Sequence, residues 1–390
     1  MATASHLAVS PGLVARPWLR LGAESPGGLA LPPAHPTASQ LYAPRGVYLD
    51  DQVLVVADTG NHRVLIWHGL PEDDGAPAQV VLGQPDFTTE GPAAGGRGQQ
   101  GGLYMPTGVG LINGRLFVAD AWHHRVLVWE ELPTTTDTPP DWVLGQPNAT
   151  TVTENRGAGT PDACSFYWPY GICYDAGWFY VADTGNRRVL GWHGLPAPEQ
   201  PADLVLGQPS FTTREENRGR AVGPDSFRWP HAIAGHGDML LVADAGNHRV
   251  LGWSPRPRQD RPACLVLGQE DYHTAQEWPY GPQGPNRLRF PYALAVHQGR
   301  LAVADTANNR VLVWSSIPRQ GAFWPAAAVL GQLNFEANGE NRWQGVEKDT
   351  LCWPYGLAWH GNLLAIADSG NNRIVIWRLE KAAGRDAEAA

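Results

Sequence analysis

The chain repeats one arrangement of apolar and polar positions six times. In each copy an apolar run ends at Ala-Asp, a short turn follows, and a second apolar run begins at Arg and ends at Trp. The first copy is VADTGNHRVLIW from Val56, and the last is IADSGNNRIVIW from Ile366. Two short apolar runs on either side of a tight turn predict a β-hairpin, and Gly-Asn in that turn is expected because both residues tolerate positive φ.

Two further marks keep the same period and extend the hairpin to four strands. The repeated Asp residues lie 61 to 63 positions apart, and a Pro stands 14 residues before each of them. Leu-Gly-Gln triplets recur in the same register, beginning with the one at Leu82. The first unit therefore predicts strands A to D at 46–49, 53–58, 63–67 and 79–82. A four-stranded unit repeated around an axis is a propeller blade, so we predict an all-β, six-bladed β-propeller.

The two ends of the chain predict how the ring closes. No Leu-Gly-Gln follows Trp377 in the sixth unit, but Leu21-Gly22 lies one repeat length, 61 residues, before Leu82. We predict that the N-terminal strand completes the last blade, which removes two exposed sheet edges. The predicted domains are an N-terminal tail at 1–16, the propeller at 17–380 and a C-terminal tail at 381–390.

The motif V-A-D-x-x-N-x-R-V, after P-x-G and an apolar strand, resembles the NHL-repeat family. The resemblance covers about residues 17–380 and implies a six-bladed propeller, a fold that serves many functions. Features present in all six units are interpreted as structural. Asp and Arg, as in Asp58 and Arg63, flank the turn, and the tryptophans at the end of strand C, beginning with Trp67, fill the gaps between blades. Asn-Arg pairs in the long D-to-A loops are interpreted as loop packing.

Equivalent positions that differ between units are the candidates for function. The residue after each repeated Pro opens the innermost strand, at the channel-mouth face where the B-to-C and D-to-A connections lie. These residues are Arg45, Thr107, Tyr170, His231, Tyr292 and Tyr355. A ring with one cation, one hydroxyl, one imidazole and three phenols predicts hydrogen bonding and stacking with a polar or aromatic ligand. The alternative is that these side chains fill the channel together with water.

The second unit departs from the others at its turn. It has Trp122, His123 and His124 where other units have Gly-Asn or Ala-Asn followed by one residue. An exposed Trp at a turn indicates a contact site. Packing of this Trp on the neighbouring loop is the alternative interpretation.

The sequence favours binding over catalysis. Peptidyl-hydroxyglycine amidating lyase resembles this chain as a six-bladed propeller, and in that family three His residues directly after the strand A Pro bind zinc. Here only His231 matches, whereas a catalytic zinc needs about three protein ligands. We therefore predict no metal and no cofactor. The histidines at 62, 123, 124, 231 and 248 leave a metal on one face as an alternative.

Composition limits the partners. The formal net charge is −9 and Lys occurs only at 348 and 381, which disfavours nucleic acid. The four Cys lack metal-site or disulfide spacing and are expected to be reduced. With no signal-peptide pattern and no long apolar span, we expect a monomeric, cytoplasmic, non-membrane protein, of bacterial composition, that binds a protein partner or small ligand. The alternatives are a metal-dependent hydrolase or lyase, and RNA binding.

Overall fold

The structure is a computed structural model that describes residues 7–10, 13–23 and 35–381. Its strands form six separate sheets of four or five strands, and within each blade the strands that follow one another along the chain pair antiparallel. This arrangement confirms the prediction of an all-β, six-bladed propeller.

The first three blades follow one another along the chain. Blade 1 contains β3 (Gly46–Leu49), β4 (Val53–Asp58), β5 (Arg63–His68) and β6 (Val80–Leu82). Blade 2 contains β7 (Pro106–Ile112), β8 (Arg115–Asp120), β9 (Arg125–Trp129) and β10 (Trp142–Leu144). Blade 3 contains β11 (Pro169–Asp175), β12 (Trp178–Asp183), β13 (Arg188–His193) and β14 (Leu204–Leu206).

The remaining blades include the two five-stranded sheets. Blade 4 contains β15 (Pro230–His236), β16 (Met239–Asp244), β17 (Arg249–Trp253), β18 (Leu265–Leu267) and the parallel edge strand β22 (Gly321–Ala322). Blade 5 contains β19 (Pro291–His297), β20 (Arg300–Asp305), β21 (Arg310–Trp314) and β23 (Ala328–Leu330). Blade 6 contains β24 (Pro354–His360), β25 (Leu363–Asp368), β26 (Arg373–Lys381), β2 (Leu13–Gly22) and β1 (Leu7–Ser10).

Helical structure in the described ranges consists of short turns. The B-to-C connections are 3-10 turns at Thr59–Asn61, Ala121–His123, Thr184–Asn186, Ala245–Asn247, Thr306–Asn308 and Ser369–Asn371. Others occur in D-to-A loops at Glu154–Gly157, Glu216–Gly219 and Glu340–Trp343, with a short helical segment α1 at Pro92–Gly96. Within the ranges given above, no helix is long and apolar enough to cross a membrane.

The B-to-C turn of blade 1 differs from its predicted chemistry. We expected Gly and Asn to supply positive φ, but the left-handed residue is His62, which follows the turn at φ 55°. Gly60 is needed for a different reason, because a Cβ there would lie 2.5 Å from the ring of Tyr42. The expectation was therefore wrong, since glycine permits close packing here and not a left-handed backbone.

The N-terminal strand closes the ring in the predicted register. Leu82 pairs with Val64 in blade 1, and Leu21 pairs with Ile374, the equivalent position of blade 6. Residues 7–10 and 13–16, which were assigned to the predicted N-terminal tail, extend this sheet as β1 and the start of β2, and Lys381 of the predicted C-terminal tail is the last residue of β26. The rest of the predicted tails, at 1–6, 11–12 and 382–390, lies outside the described residues.

The repeated Asp and Arg hold each turn to the loops around it. In blade 1, Nε of Arg63 donates to Asp58 at 2.7 Å, and both side chains are fully buried. The same guanidinium donates to the carbonyls of Phe87, Thr37 and Gln40. Equivalent ion pairs of 2.7 to 3.0 Å join Asp120–Arg125, Asp183–Arg188, Asp244–Arg249, Asp305–Arg310 and Asp368–Arg373. The structural interpretation of these residues is confirmed.

The tryptophans at the end of strand C are buried between blades, as predicted. Trp67 is 2% exposed and lies in an apolar cluster with Leu21 and Ile374, which joins blades 6 and 1. Its indole N–H donates to the carbonyl of Ala76 in the C-to-D loop. Trp377 has no such partner within the described chain, because its outer strand arrives from the N-terminus and not through a C-to-D loop.

Candidate functional site

The six residues that open the innermost strands surround the channel and line a cavity at the channel-mouth face. This channel-mouth cavity has a volume of about 300 Å³. It is lined by Arg45, Met105, Thr107, Ala121, Trp122, Trp168, Tyr170, Thr184, Trp229, His231, Tyr292 and Tyr355. A second space of about 90 Å³ is lined by the same six residues and by the strand residues that follow them.

Aromatic contacts connect most of the ring. The imidazole of His231 lies between Tyr170 and Tyr292, at centroid distances of 4.4 and 4.3 Å. Tyr292 contacts Tyr355 at 4.7 Å, and the guanidinium carbon of Arg45 lies 4.6 Å from the centroid of the Tyr355 ring. These contacts hold the side chains against one another, so the protein itself determines the shape of the cavity.

Burial keeps the other titratable residues of the ring neutral, so Arg45 is the charged residue of the cavity wall. Burial raises the pKa of Tyr170 to about 12, and it also raises the pKa of Tyr292 and of Tyr355. It lowers the pKa of His231 to about 3. The phenols and the imidazole are thus neutral at physiological pH, and the phenols are hydrogen-bond donors.

Two buried polar atoms of the ring have no hydrogen-bond partner in the described chain. They are Nε of Arg45 and the hydroxyl oxygen of Tyr170. The two side chains interact electrostatically with each other, and Arg45 forms no ion pair with any described residue. Because buried polar groups in proteins are almost always bonded, these atoms mark a place for ligand or water oxygens.

Tryptophans form the outer wall of the cavity. Trp122 and Trp168 are 41% and 38% exposed, and their rings meet edge to face at 5.2 Å. Trp122 also packs on Tyr104 at 5.5 Å. Trp122 therefore packs on a neighbouring loop and also lines the cavity, and its role as a contact site stays a prediction.

His123 and His124 do not line the cavity, unlike the other candidate residues. His123 is 4% exposed and its Nδ1 bonds to Asp120 at 2.8 Å, where other turns use Asn, such as Asn61 on Asp58. His124 instead accepts a backbone N–H from the next blade. Across residues 7–10, 13–23 and 35–381, no three His, Cys, Asp or Glu side chains are grouped to hold a metal ion.

A recurrent hydrogen bond joins neighbouring blades, and the sequence analysis did not anticipate it. In five of the six blades, the side chain of the residue after the B-to-C turn accepts the N–H of the residue before the strand A Pro of the next blade. We call this the boundary bond. It joins Met105 to His62, Trp168 to His124, Phe290 to His248, Trp353 to Asn309 and Ala43 to Asn372, at 2.9 to 3.2 Å. The signal was present, because this position is His or Asn in five units and Arg187 in the sixth.

The boundary bond holds a strained backbone. Each of its donor residues is left-handed, with φ between 45° and 61° at Ala43, Met105, Trp168, Phe290 and Trp353. A left-handed non-glycine residue costs on the order of 1 kcal/mol or more, so a specific contact is needed to keep it there.

The Asn residues of the D-to-A loops pack against the turns, as predicted. Asn155 is 1% exposed and exchanges amide hydrogen bonds with Asn186 at 2.8 and 3.1 Å. Asn217 and Asn341 make the same contact in their blades. In blade 5 the contact comes from Gln283, whereas Asn286 bonds to a loop carbonyl.

Comparison with known proteins agrees with this architecture. Residues 41–67 match the NHL repeat family model. Human NHL repeat-containing protein 2 is 26% identical over 294 residues, and the match spans 69% of this chain and 37% of that protein. The chain thus corresponds to well under two thirds of this relative.

Two solved structures are similar to the chain at low sequence identity. A structural genomics protein of unknown function from Bacteroides thetaiotaomicron VPI-5482 is 12% identical, with a TM-score of 0.49, and covers 94% of this chain and 76% of that one. The WD40 β-propeller domain of Doa1 is 11% identical, with a TM-score of 0.45, covering 93% and 96% respectively. The chain is thus a six-bladed β-propeller with an NHL repeat at residues 41–67, and it is similar in sequence to a human protein that contains NHL repeats.

Proposed function

We propose that this propeller is a non-catalytic recognition module whose channel-mouth cavity binds an anionic group, carried by a protein partner or a small ligand. The observation that carries the proposal is the guanidinium of Arg45, which lines the cavity and has no ion-pair partner among the described residues. The remaining lining residues are aromatic, aliphatic or hydroxyl-bearing, so the wall supplies one positive charge and no negative charge.

An anion would stabilise this arrangement for an electrostatic reason. An unpaired charge in a partly buried site loses hydration, and a carboxylate or phosphate that meets it restores the lost interaction. Arg is suited to this role because its planar guanidinium can donate two parallel hydrogen bonds to one oxyanion. The buried hydroxyl of Tyr170, which interacts with Arg45, supplies a further donor.

The tryptophan wall favours a ligand with a flat apolar body. Trp122 and Trp168 present exposed faces at the cavity, and Trp229 completes the lining on the side of blade 4. A volume of about 300 Å³ is large enough for a small molecule or one inserted side chain. Concave, mostly aromatic pockets with a few polar groups are typical ligand sites.

The same wall favours binding over acid–base catalysis. The residues that line the cavity include no Asp, Glu or Cys. The imidazole that lines it, His231, has a pKa held near 3 by burial, far from the value that a general base needs at neutral pH.

Calorimetry with a matched pair of probes tests the proposal. We expect 3-phenylpropionate to bind the wild-type protein more tightly than 3-phenylpropanamide, which has the same body without the charge. Arg45→Gln should weaken carboxylate binding by about tenfold or more, the loss of a charged hydrogen-bonded contact. Arg115→Gln is the control, because Arg115 is outside the cavity lining and pairs with Glu130 on the surface. Equal binding of acid and amide, or unchanged binding in Arg45→Gln, would contradict the proposal.

A further inference from the structure

One of the six blade boundaries lacks the boundary bond, and it is the one beside His231. The acceptor position there is occupied by Arg187, whose guanidinium has donors and no acceptor. Its Nη1 donates to the carbonyl of Gly185 at 2.7 Å and to that of Arg214 at 3.4 Å. The N–H of Trp229, the residue before the strand A Pro of blade 4, therefore has no boundary acceptor.

The backbone of blade 4 takes a different course at this boundary. Trp229 is not left-handed, whereas the five residues equivalent to it are. Its N–H turns to the carboxylate of Asp244 at 3.3 Å. Its carbonyl accepts the N–H of Ala245 at 2.9 Å and also contacts Nδ1 of His231 at 2.9 Å.

This carbonyl fixes the tautomer of His231. A carbonyl oxygen only accepts hydrogen bonds, so Nδ1 carries the proton and the neutral ring leaves Nε2 as an acceptor. Nε2 has no hydrogen-bond partner among the described residues, and His231 lines the channel-mouth cavity. His231 opens blade 4 and Arg45 opens blade 1, so the two residues belong to opposite sides of the six-bladed ring.

We propose that Arg187 determines which hydrogen-bonding group His231 presents to the channel-mouth cavity. Because Arg187 offers no acceptor for the boundary bond, the Trp229 carbonyl is free to bind Nδ1–H of His231, and Nε2 faces the cavity as an acceptor. The cavity then takes ligands that present an oxyanion to Arg45 and an O–H or N–H donor to His231. This inference rests on the proposed function for its ligand class. Arg187 is a positioning residue, since it acts on the ligand through Trp229 and His231.

The tautomer can be measured without any ligand, by nitrogen NMR of histidine-labelled protein. His231→Gln identifies the signals of His231. We expect wild type and Arg187→Lys, which also lacks an acceptor, to show a protonated Nδ1 on His231. Arg187→Asn supplies the acceptor already used at Asn309 and Asn372, so it should form the boundary bond and release His231 from the Nδ1 tautomer. Arg187→His is the second variant if the first does not fold, because His is the acceptor at three other blade boundaries.

An Nδ1 signal that persists in both Arg187→Asn and Arg187→His would overturn the positioning role, and a protonated Nε2 in wild type would overturn the tautomer. Both results are independent of whether the cavity binds anions. They therefore separate a failure of this inference from a failure of the proposed function.

The ligand class is tested with 4-hydroxyphenylacetate and phenylacetate, which differ by one terminal hydroxyl donor. We expect wild type and Arg187→Lys to prefer the hydroxylated acid by about five- to tenfold, as for one net hydrogen bond to a buried acceptor. The preference should fall to about one in Arg187→Asn. If wild type binds both acids with equal affinity and this binding depends on Arg45, the acceptor role of His231 is contradicted and the proposed function is not. Failure of both acids to bind would overturn the ligand class.

Discussion

Nδ1 of His248 accepts the backbone N–H of Phe290 at 3.2 Å, across the boundary between blades 4 and 5. A nitrogen that accepts must be unprotonated, so this contact requires a neutral imidazole. Burial lowers the pKa of His248 to about 4, and it lowers the pKa of His62 and His124 as well. Protonation of these rings would break three boundary bonds.

The propeller should therefore lose stability in acid. The unfolded chain takes up protons on these histidines near pH 6.5, whereas the folded chain resists until lower pH, so stability is full above about pH 6.5 and declines below it. His248→Asn should keep the boundary bond, as Asn309 and Asn372 do, and remove one titrating group. Urea unfolding at about pH 7 and pH 5 should show that this variant loses about 1–2 kcal/mol less than wild type. An equal loss in both proteins would count against the boundary bond as the cause.

The buried ion pairs of the turns should be costly to break. Arg188 donates to Asp183 at 2.7 Å and to the carbonyls of Asp162 and Ser165, with no exposed side-chain area. Arg188→Met leaves a buried carboxylate without its cation, so we expect a loss of about 3–5 kcal/mol in the free energy of unfolding. Arg115→Met removes an exposed pair and should cost less than about 1 kcal/mol. Similar losses for the two variants in chemical denaturation would refute a special role for the turn pair.

Closure by the N-terminal strand makes Leu21 equivalent to Leu82. Both are fully buried, and they pair with the matching positions Ile374 and Val64. Leu21→Ala and Leu82→Ala should each destabilise the protein by about 2–5 kcal/mol, the usual cost of a buried cavity. Denaturation of the two variants side by side measures this. A negligible effect of Leu21→Ala beside a large effect of Leu82→Ala would show that the strand is dispensable for closure.

Trp122 should contribute to ligand binding more than to stability. It is 41% exposed and lines the cavity, in a turn where the equivalent residue of other units is Gly or Ala. Trp122→Ala should weaken binding of 3-phenylpropionate by about fivefold, since it removes an aromatic contact of about 1 kcal/mol. Trp343→Ala is the matched control, because Trp343 is 78% exposed and does not line the cavity. Calorimetry that finds equal losses in the two variants would assign Trp122 to packing alone.

The repeat made most of the fold predictable from the sequence. The spacing of Pro, Asp and Leu-Gly-Gln determined the blades, and the position of Leu21 relative to Leu82 determined how the ring closes. The ring residues could also be predicted from the sequence, because the residue after each repeated Pro has the same position in every blade. Departures from sixfold pattern, such as Arg45, then identified the candidate site.

What the sequence could not supply was the direction of individual contacts. His123 and His124 stood out beside Trp122, yet one ring bonds to Asp120 and the other to the backbone of the next blade. Arg187 was visible as an exception, but its effect passes through a change in the backbone of Trp229. Such an effect depends on which atoms lie within hydrogen-bonding distance in three dimensions, and the residue types alone do not give that.

A crystal structure of the protein with 3-phenylpropionate tests the central claim most directly. The account predicts that the ligand occupies the channel-mouth cavity, with its carboxylate on the guanidinium of Arg45 and its ring against Trp122 and Trp168. A ligand bound elsewhere, or bound in the cavity with its carboxylate directed away from Arg45, would contradict the account.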